Sequence, residues 1–178
     1  ETIKIIQNYF TQTFFISAGT LLGYIREKNF IDWDDNIDLS FYFENNTFVK
    51  LEKLQKIMLE KHYVARIIRK KKYLKLSIFK YGYKLDLCSL YKEKGYFKAG
   101  EYRMPTIYCD ELKAVNFKNV TINIPRKYEN YLFYLYGNWR TPIKHANYLT
   151  HESKINLSFK NFLGSFIRHK IYLLFKKK

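Results

Sequence analysis

The sequence predicts one α+β domain whose helices flank a mixed β-sheet. Three observations lead there. Segments with apolar residues at helical spacing are interspersed with short segments of strict alternation. No internal repeat and no Gly/Ser/Pro-rich linker divides them. The chain has 178 residues, 47% hydrophobic and 27% charged, which suffices for one core and is too apolar for disorder.

The first segment, residues 3–14, puts Ile3, Ile6, Phe10 and Phe14 on one stripe and predicts an amphipathic helix. Phe15-Ile16 ends a short apolar run before Ser17-Ala18-Gly19-Thr20, and residues 21–28 read as a second, short helix. Over residues 37–43, Ile37, Leu39 and Phe41 alternate with Asp38, Ser40 and Tyr42, the period of a strand. A helix over 47–61 follows, its buried stripe formed by Phe48, Leu51, Leu54 and Met58. Strands are predicted at 63–68, 73–79 and 83–90, the last two joined at Tyr81-Gly82, a hairpin signal. Residues 91–116 read as irregular and aromatic. A strand at 117–124 leads to a helix that Pro125 opens and Gly137 closes. The folded domain is read as residues 1–150, followed by a basic amphipathic segment over 151–178.

Net charge is +16, from 32 basic and 16 acidic residues. Such a field favours anionic partners. Only seven of the 32 are Arg, the residue suited to bidentate phosphate recognition, so no nucleic-acid partner is expected. No apolar run is long enough for a membrane span, and no secretory leader precedes the first helix, so a cytoplasmic location is expected. Cys88 and Cys109 lack metal-ligand spacing and read as reduced core thiols.

The densest acidic cluster lies at the start of the 37–43 strand, where Asp32, Asp34, Asp35 and Asp38 fall within seven residues. Their mutual repulsion has an electrostatic cost that a divalent cation relieves, and oxygen-only ligands select Mg²⁺ or Mn²⁺. Asn36 and Asp38, two apart on a strand, share a face and can aim at one ion. Asp86 is a second isolated acid on an apolar strand; the two meet over a metal if their strands are neighbours. A solvated acidic turn and a surface Asp remain the alternative. Upstream, Gly19-Thr20 sits at a helix start, where backbone amides and the Thr20 hydroxyl can hold a phosphate or form a simple cap. Together, a phosphate-holding turn and a metal-holding strand suit displacement at phosphorus.

The run AGTLLGYIREKNFIDWDDNIDLSF (18–41) resembles the signature of the LicD family, the phosphorylcholine transferases and the fukutin-related ribitol-phosphate transferases. The likeness continues through Lys84-Leu85-Asp86-Leu87 and returns in FKNVTINIPRKYENYLFYLYGNWRTP (117–142), spanning residues 3–142. The resemblance implies a nucleotidyltransferase-like fold. It implies transfer of a phospho-alcohol from a CDP-linked donor to a glycan or lipid-linked glycan in cell-surface polysaccharide or lipopolysaccharide synthesis, with Mg²⁺. By matching positions, Gly19, Thr20 and Arg26 bind the donor phosphates. Asp34, Asp35, Asn36, Asp38 and Asp86 form the metal set, with Asp38 and Asp86 as the catalytic pair. Asp86 alternatively serves as general base.

Two positions depart from the family pattern. Asn36 stands where the first carboxylate of the Asp-x-Asp pair is usual, so a cation there has one negative charge fewer. Either Asp34 or Asp35 compensates, or the enzyme is weak or inactive. Asp32 stands where Pro is usual. Trp33, Trp139 and the tyrosines can stack on a base or sugar, although core packing explains any one of them. His145 and His151 read as surface residues. Residues 154–178 hold seven Lys/Arg and no acid, with apolar residues near helical spacing, which suits contact with an anionic membrane face. The competing readings are nucleotidyl transfer to a small molecule and a degenerate, non-catalytic binding module.

Overall fold

The chain starts with a short amphipathic helix, α1 (Thr2–Tyr9), whose Ile6 is fully buried. The computed structural model describes residues 1–100 and 102–142. After α1 come β1 (Phe14–Ile16), α2 (Ala18–Glu27), β2 (Asn36–Tyr42), α3 (Thr47–Glu60) and then β3 (Val64–Lys70), β4 (Tyr73–Lys80) and β5 (Tyr83–Glu93). The chain continues through β6 (Tyr96–Ala99), β7 (Tyr102–Pro105), a 3₁₀ turn at Thr106–Tyr108, β8 (Leu112–Phe117), β9 (Val120–Pro125) and α4 (Tyr128–Tyr136). It forms two compact units, Glu1–Leu132 and Phe133–Lys178, and the first holds the whole sheet. The expected boundary at 150/151, the tail over 154–178, His145 and His151 lie outside the described residues.

The sheet runs in the order β3-β4-β5-β2-β1-β9-β8, with β6 and β7 extending from β5 as an antiparallel arm. β2 pairs with β5, and β1 with β9, in parallel; the other neighbours are antiparallel, so the sheet is mixed as expected. Leu39 and Phe41 of β2, Leu76 and Ile78 of β4, and Leu85 and Leu87 of β5 are buried by period-two alternation. Leu51, Leu54 and Met58 of α3 are fully buried, each worth about 1.5–3 kcal/mol of apolar transfer. The Thr47 hydroxyl accepts a 2.8 Å bond from the Glu44 amide, fixing the turn from which α3 starts.

Several elements differ from the sequence reading. The first helix ends at Tyr9, because Phe10 is extended at φ −100° and Phe14 begins a strand. Gln12 explains the break: its buried amide donates to the Tyr42 carbonyl at 3.1 Å and accepts from the Thr47 hydroxyl at 3.1 Å. Residues 91–116 are mostly ordered strand: the end of β5, then β6, β7 and β8. Phe117 ends β8, and Lys118-Asn119 form a tight turn at φ +51° and +60° before β9. Pro125 closes β9, and the last helix starts three residues later at Tyr128. Gly137, at φ +66°, follows its end as expected.

Candidate active site

The parallel pairing of β2 and β5 sets Asp38 directly opposite Asp86, and β4 sets Ser77 opposite Asp86 on the other side. Strand neighbours lie about 4.8 Å apart, so Asp38, Asp86 and Ser77 form a row across three strands. The two carboxylates, 48 residues apart in sequence, share a sheet face as the alternation requires.

Asp86 is buried at 5% exposure, and both of its oxygens are engaged. The Ser77 hydroxyl donates to Oδ1 at 2.6 Å, while the ammonium groups of Lys75 and Lys84 each lie 3.0 Å from Oδ2. Burial alone pushes this carboxyl up, but Ser77, Lys75 and Lys84 outweigh it and hold Asp86 below the ordinary range. For Lys75 the same contest runs in reverse: burial lowers it, Asp86 outweighs burial, and the ammonium is held above its usual value. No local sequence signal joins Lys75 and Ser77 to Asp86; only the β4–β5 register reveals it.

Asp38 is arranged differently. The Asn36 amide donates to its Oδ1 at 2.7 Å, and its backbone N–H donates to the Thr20 hydroxyl at 2.8 Å. Its carbonyl accepts from the Ser17 amide at 3.0 Å. Burial pushes the Asp38 carboxyl up to about 6; Asp34 and Asp86 add to the rise, while the Asn36 amide and Lys84 oppose it. Burial likewise raises Asp34, against backbone N–H bonds from Asn36 and Asp35. The register partners are thus electrostatically unequal: Asp86 carries its own counter-charges and Asp38 does not.

Thr20 is 2% exposed, and its hydroxyl ties α2 to β2 and positions Asp38. Gly19 is buried in the first turn of α2 against Asp34: a Cβ there meets Asp34 Oδ2 at 2.2 Å. That close approach places the Asp34 carboxylate at the helix N-terminus, where the macrodipole favours negative charge. The N-cap residue, Ser17, makes no side-chain cap bond. Ala18, at φ +44°, donates its amide to the Tyr131 hydroxyl at 3.3 Å, and Tyr131 pairs with Tyr102 at 3.0 Å. This tyrosine pair was beyond sequence reasoning, since the three residues come from separate elements. Gly19→Ala is expected to displace Asp34 at little cost in stability, on the order of 1 kcal/mol, because a flexible side-chain end yields first. Mn²⁺ titration of the folded variant checks this, with affinity falling about 10-fold or more.

The remaining expected site residues are placed less centrally. Asp32 and Asp35 are exposed, and Trp33 is 45% exposed. Arg26, in the last turn of α2, directs Nη2 to Glu27 at 2.6 Å. Trp139 is buried. Cys88 and Cys109 are free thiols that burial pushes up to about 12, so neither is a nucleophile at neutral pH.

Among the described residues, no three His, Cys, Asp or Glu side chains are placed to hold a metal by themselves. The donor set nevertheless fits Mg²⁺, which is commonly held by one or two carboxylates plus substrate phosphates. Asp34 and Asp38 are hard oxygen donors, each pushed up by burial and each raised further by a neighbouring carboxylate, the imbalance a cation relieves. Asn36 needs its amide turned to present oxygen, since its Nδ2 faces Asp38.

A paired-carboxylate row thus stands beside a glycine-bearing helix start on a mixed sheet. The family model described as LicD/FKTN/FKRP, nucleotidyltransferase domain, matches residues 11–127, about two thirds of the chain, and the chain belongs to that family. No curated protein sequence matches it. Among solved structures it is similar to the crystal structure of ANT(2")-Ia in complex with adenylyl-2"-tobramycin, with 16% identity and a TM-score of 0.50 over 97% of this chain and 90% of that one. A solution structure of the antibiotic-resistance factor ANT(2'')-Ia is similar at 14% identity and a TM-score of 0.50, over 96% and 94%. At these identities the likeness shows the fold, a nucleotidyltransferase-like α+β architecture.

Proposed function

We propose that this chain transfers a phospho-alcohol of the phosphocholine, ribitol phosphate or glycerol phosphate type from a CDP-linked donor to a glycan in cell-surface polysaccharide or lipopolysaccharide synthesis. Family membership supports the class. The observation that carries the reading is the Asp38–Asp86 register, set beside the α2 start with Asp34 packed on Gly19. Asp34, Asp38 and Asp86 are the holders of Mg²⁺ or Mn²⁺, with Asn36 beside them and Asp35 at the exposed edge. Mg²⁺ supplies charge neutralisation at the donor diphosphate. The α2 amides near Gly19 and Thr20 take a phosphate, and Arg26 contributes positive charge farther along that helix.

In the reaction the acceptor hydroxyl oxygen bonds to the phosphorus that carries the alcohol. The bond from that phosphorus to the bridging oxygen breaks, and CMP leaves. Asp86, ionised and with both oxygens already accepting, suits charge-holding better than proton abstraction. Asp38 is engaged by the cation, so the hydroxyl proton passes to solvent as the new bond forms. The acceptor is a glycan or lipid-linked glycan, and the tail over 154–178 supplies contact with the inner face of the membrane. No described helix is long and apolar enough to cross a membrane.

Calorimetric titration of CDP-choline, CDP-ribitol, CDP-glycerol and CTP, with and without Mg²⁺, tests the reading. Mg²⁺-dependent binding of one CDP-alcohol is expected. Binding of CTP alone, with an NMP–acceptor adduct as product, establishes nucleotidyl transfer instead. Silence across the panel establishes a non-catalytic module.

A further inference from the structure

Lys84 has no part in the reading above, yet it is paired with one member of the carboxylate row and stands beside the other. Its Nζ lies 3.0 Å from Oδ2 of Asp86, the same oxygen that Lys75 approaches at 3.0 Å. On β2 the register partner of Lys84 is Asn36, two residues before Asp38, so it stands beside the Asp38–Asp86 row. An ammonium on Asp86, in register with the residue two before Asp38, stands where a divalent cation would neutralise the same row of carboxylates.

The two lysines are not equivalent. Lys75 stands on β4 opposite Cys88, with its side chain 14% exposed. Lys84 lies near the start of β5 opposite Asn36, with its side chain 32% exposed. A lysine ammonium rides on a flexible four-carbon stem and binds as a point charge, so the outer one can leave and return cheaply. Of the two ammonium groups on Asp86, Lys84 is the more exposed, and a divalent cation between Asp38 and Asp86 cannot share that space with it without strong repulsion.

We propose that Lys84 is an exchangeable counter-ion: it holds the Asp38–Asp86 cluster before a divalent cation binds, then yields Asp86 and moves onto a phosphate oxygen of the donor, while Lys75 stays on Asp86. Lys84 is then a positioning residue before the donor arrives and a diphosphate-binding residue afterwards. Exchange keeps the net charge of the cluster nearly constant, and it makes cation binding and diphosphate binding mutually supporting. The proposal rests on the metal-dependent transfer reading.

The test is Mn²⁺ titration followed by electron paramagnetic resonance on the full chain, for the wild type, Lys84→Met and Lys75→Met, with and without CDP as a diphosphate probe. Circular dichroism verifies that each variant is folded. Without CDP, Lys84→Met is expected to bind Mn²⁺ about 10-fold more tightly than the wild type, because the competitor is gone. With CDP, the gain in Mn²⁺ affinity that the nucleotide brings is expected to shrink about 10-fold in the same variant. Lys75→Met is expected to show no tightening. Equal or weaker Mn²⁺ binding by Lys84→Met, with the wild type binding normally, overturns the exchange and leaves the transfer reading intact. Absence of Mn²⁺ binding by every form, even with CDP, overturns the metal-dependent reading and the exchange with it.

Discussion

Asp38→Asn is expected to abolish transfer and, at the same time, to make the metal-free protein more stable at neutral pH. The carboxyl is raised from an ordinary 3.8 to about 6, chiefly by burial, so the folded state disfavours its charged form. Between those values the folded protein binds more protons than the unfolded chain, and stability falls as pH rises through that window. At about 1.4 kcal/mol per pKa unit, the ionised side chain costs on the order of 1–3 kcal/mol at pH 7. Asn removes the charge and still accepts the bond from Asn36 through its carbonyl. Urea unfolding in the presence of a chelator at pH 7 should show the variant ahead by that amount, with the gap closing towards pH 4. Activity should drop by roughly 10²–10³-fold, the usual scale for losing one electrostatic element of a transfer site. A variant less stable than the wild type at pH 7 contradicts the burial argument.

Asp86→Asn, one strand away in the same register, is expected to shift stability in the opposite direction. Removing this charge leaves Lys75 and Lys84 converging on a neutral oxygen. Breaking a buried pair by deleting one partner costs about 3–5 kcal/mol; with Lys84 a third exposed, about 2–4 kcal/mol applies here. The folded carboxyl is held below its ordinary value, so its stabilising effect is present above about pH 4 and is lost as pH falls through the lowered value. Wild type and variant should therefore converge in strong acid. Chemical denaturation of both single variants at pH 7 decides the matter: equal signs for Asp38→Asn and Asp86→Asn contradict the asymmetry between the two carboxylates.

The acidic pair was legible in the sequence because both residues are acids on the polar phase of strictly alternating apolar strands. Asp38 sits among Ile37, Leu39 and Phe41, and Asp86 between Leu85 and Leu87, so each points away from the core once its strand forms. Their direct opposition needed the parallel register, which no local pattern encodes. α3 was legible for a similar reason, since its stripe repeats at helical spacing over 14 residues. β1 was not: its three residues, all buried, present no alternation, so Phe14 reads as part of the first helix and Phe15-Ile16 as a short apolar run. The arm β6–β7 mixes tyrosines, lysines and small residues in four-residue strands, too short to show a period. The β8–β9 turn uses Lys118-Asn119 at positive φ without a glycine, so the usual hairpin marker is missing. Lys75 and Ser77 alternate with Leu74, Leu76 and Ile78, and only the fold reveals that they face a buried acid.

The sheet ends at β3, whose backbone offers one unpaired row of N–H and C=O groups. In a chain with 19% aromatic residues, such an edge invites another copy to add a strand and start an aggregate. Arg66, Arg69 and Lys70 stand along it, and Lys71 and Lys72 occupy the turn that follows, all of them exposed. Two identical edges brought together align like charges over their whole length, and the repulsion opposes pairing before any backbone bond can form. Part of the large positive charge thus has a colloidal role: it keeps molecules of the same kind apart, independently of any anion the protein binds.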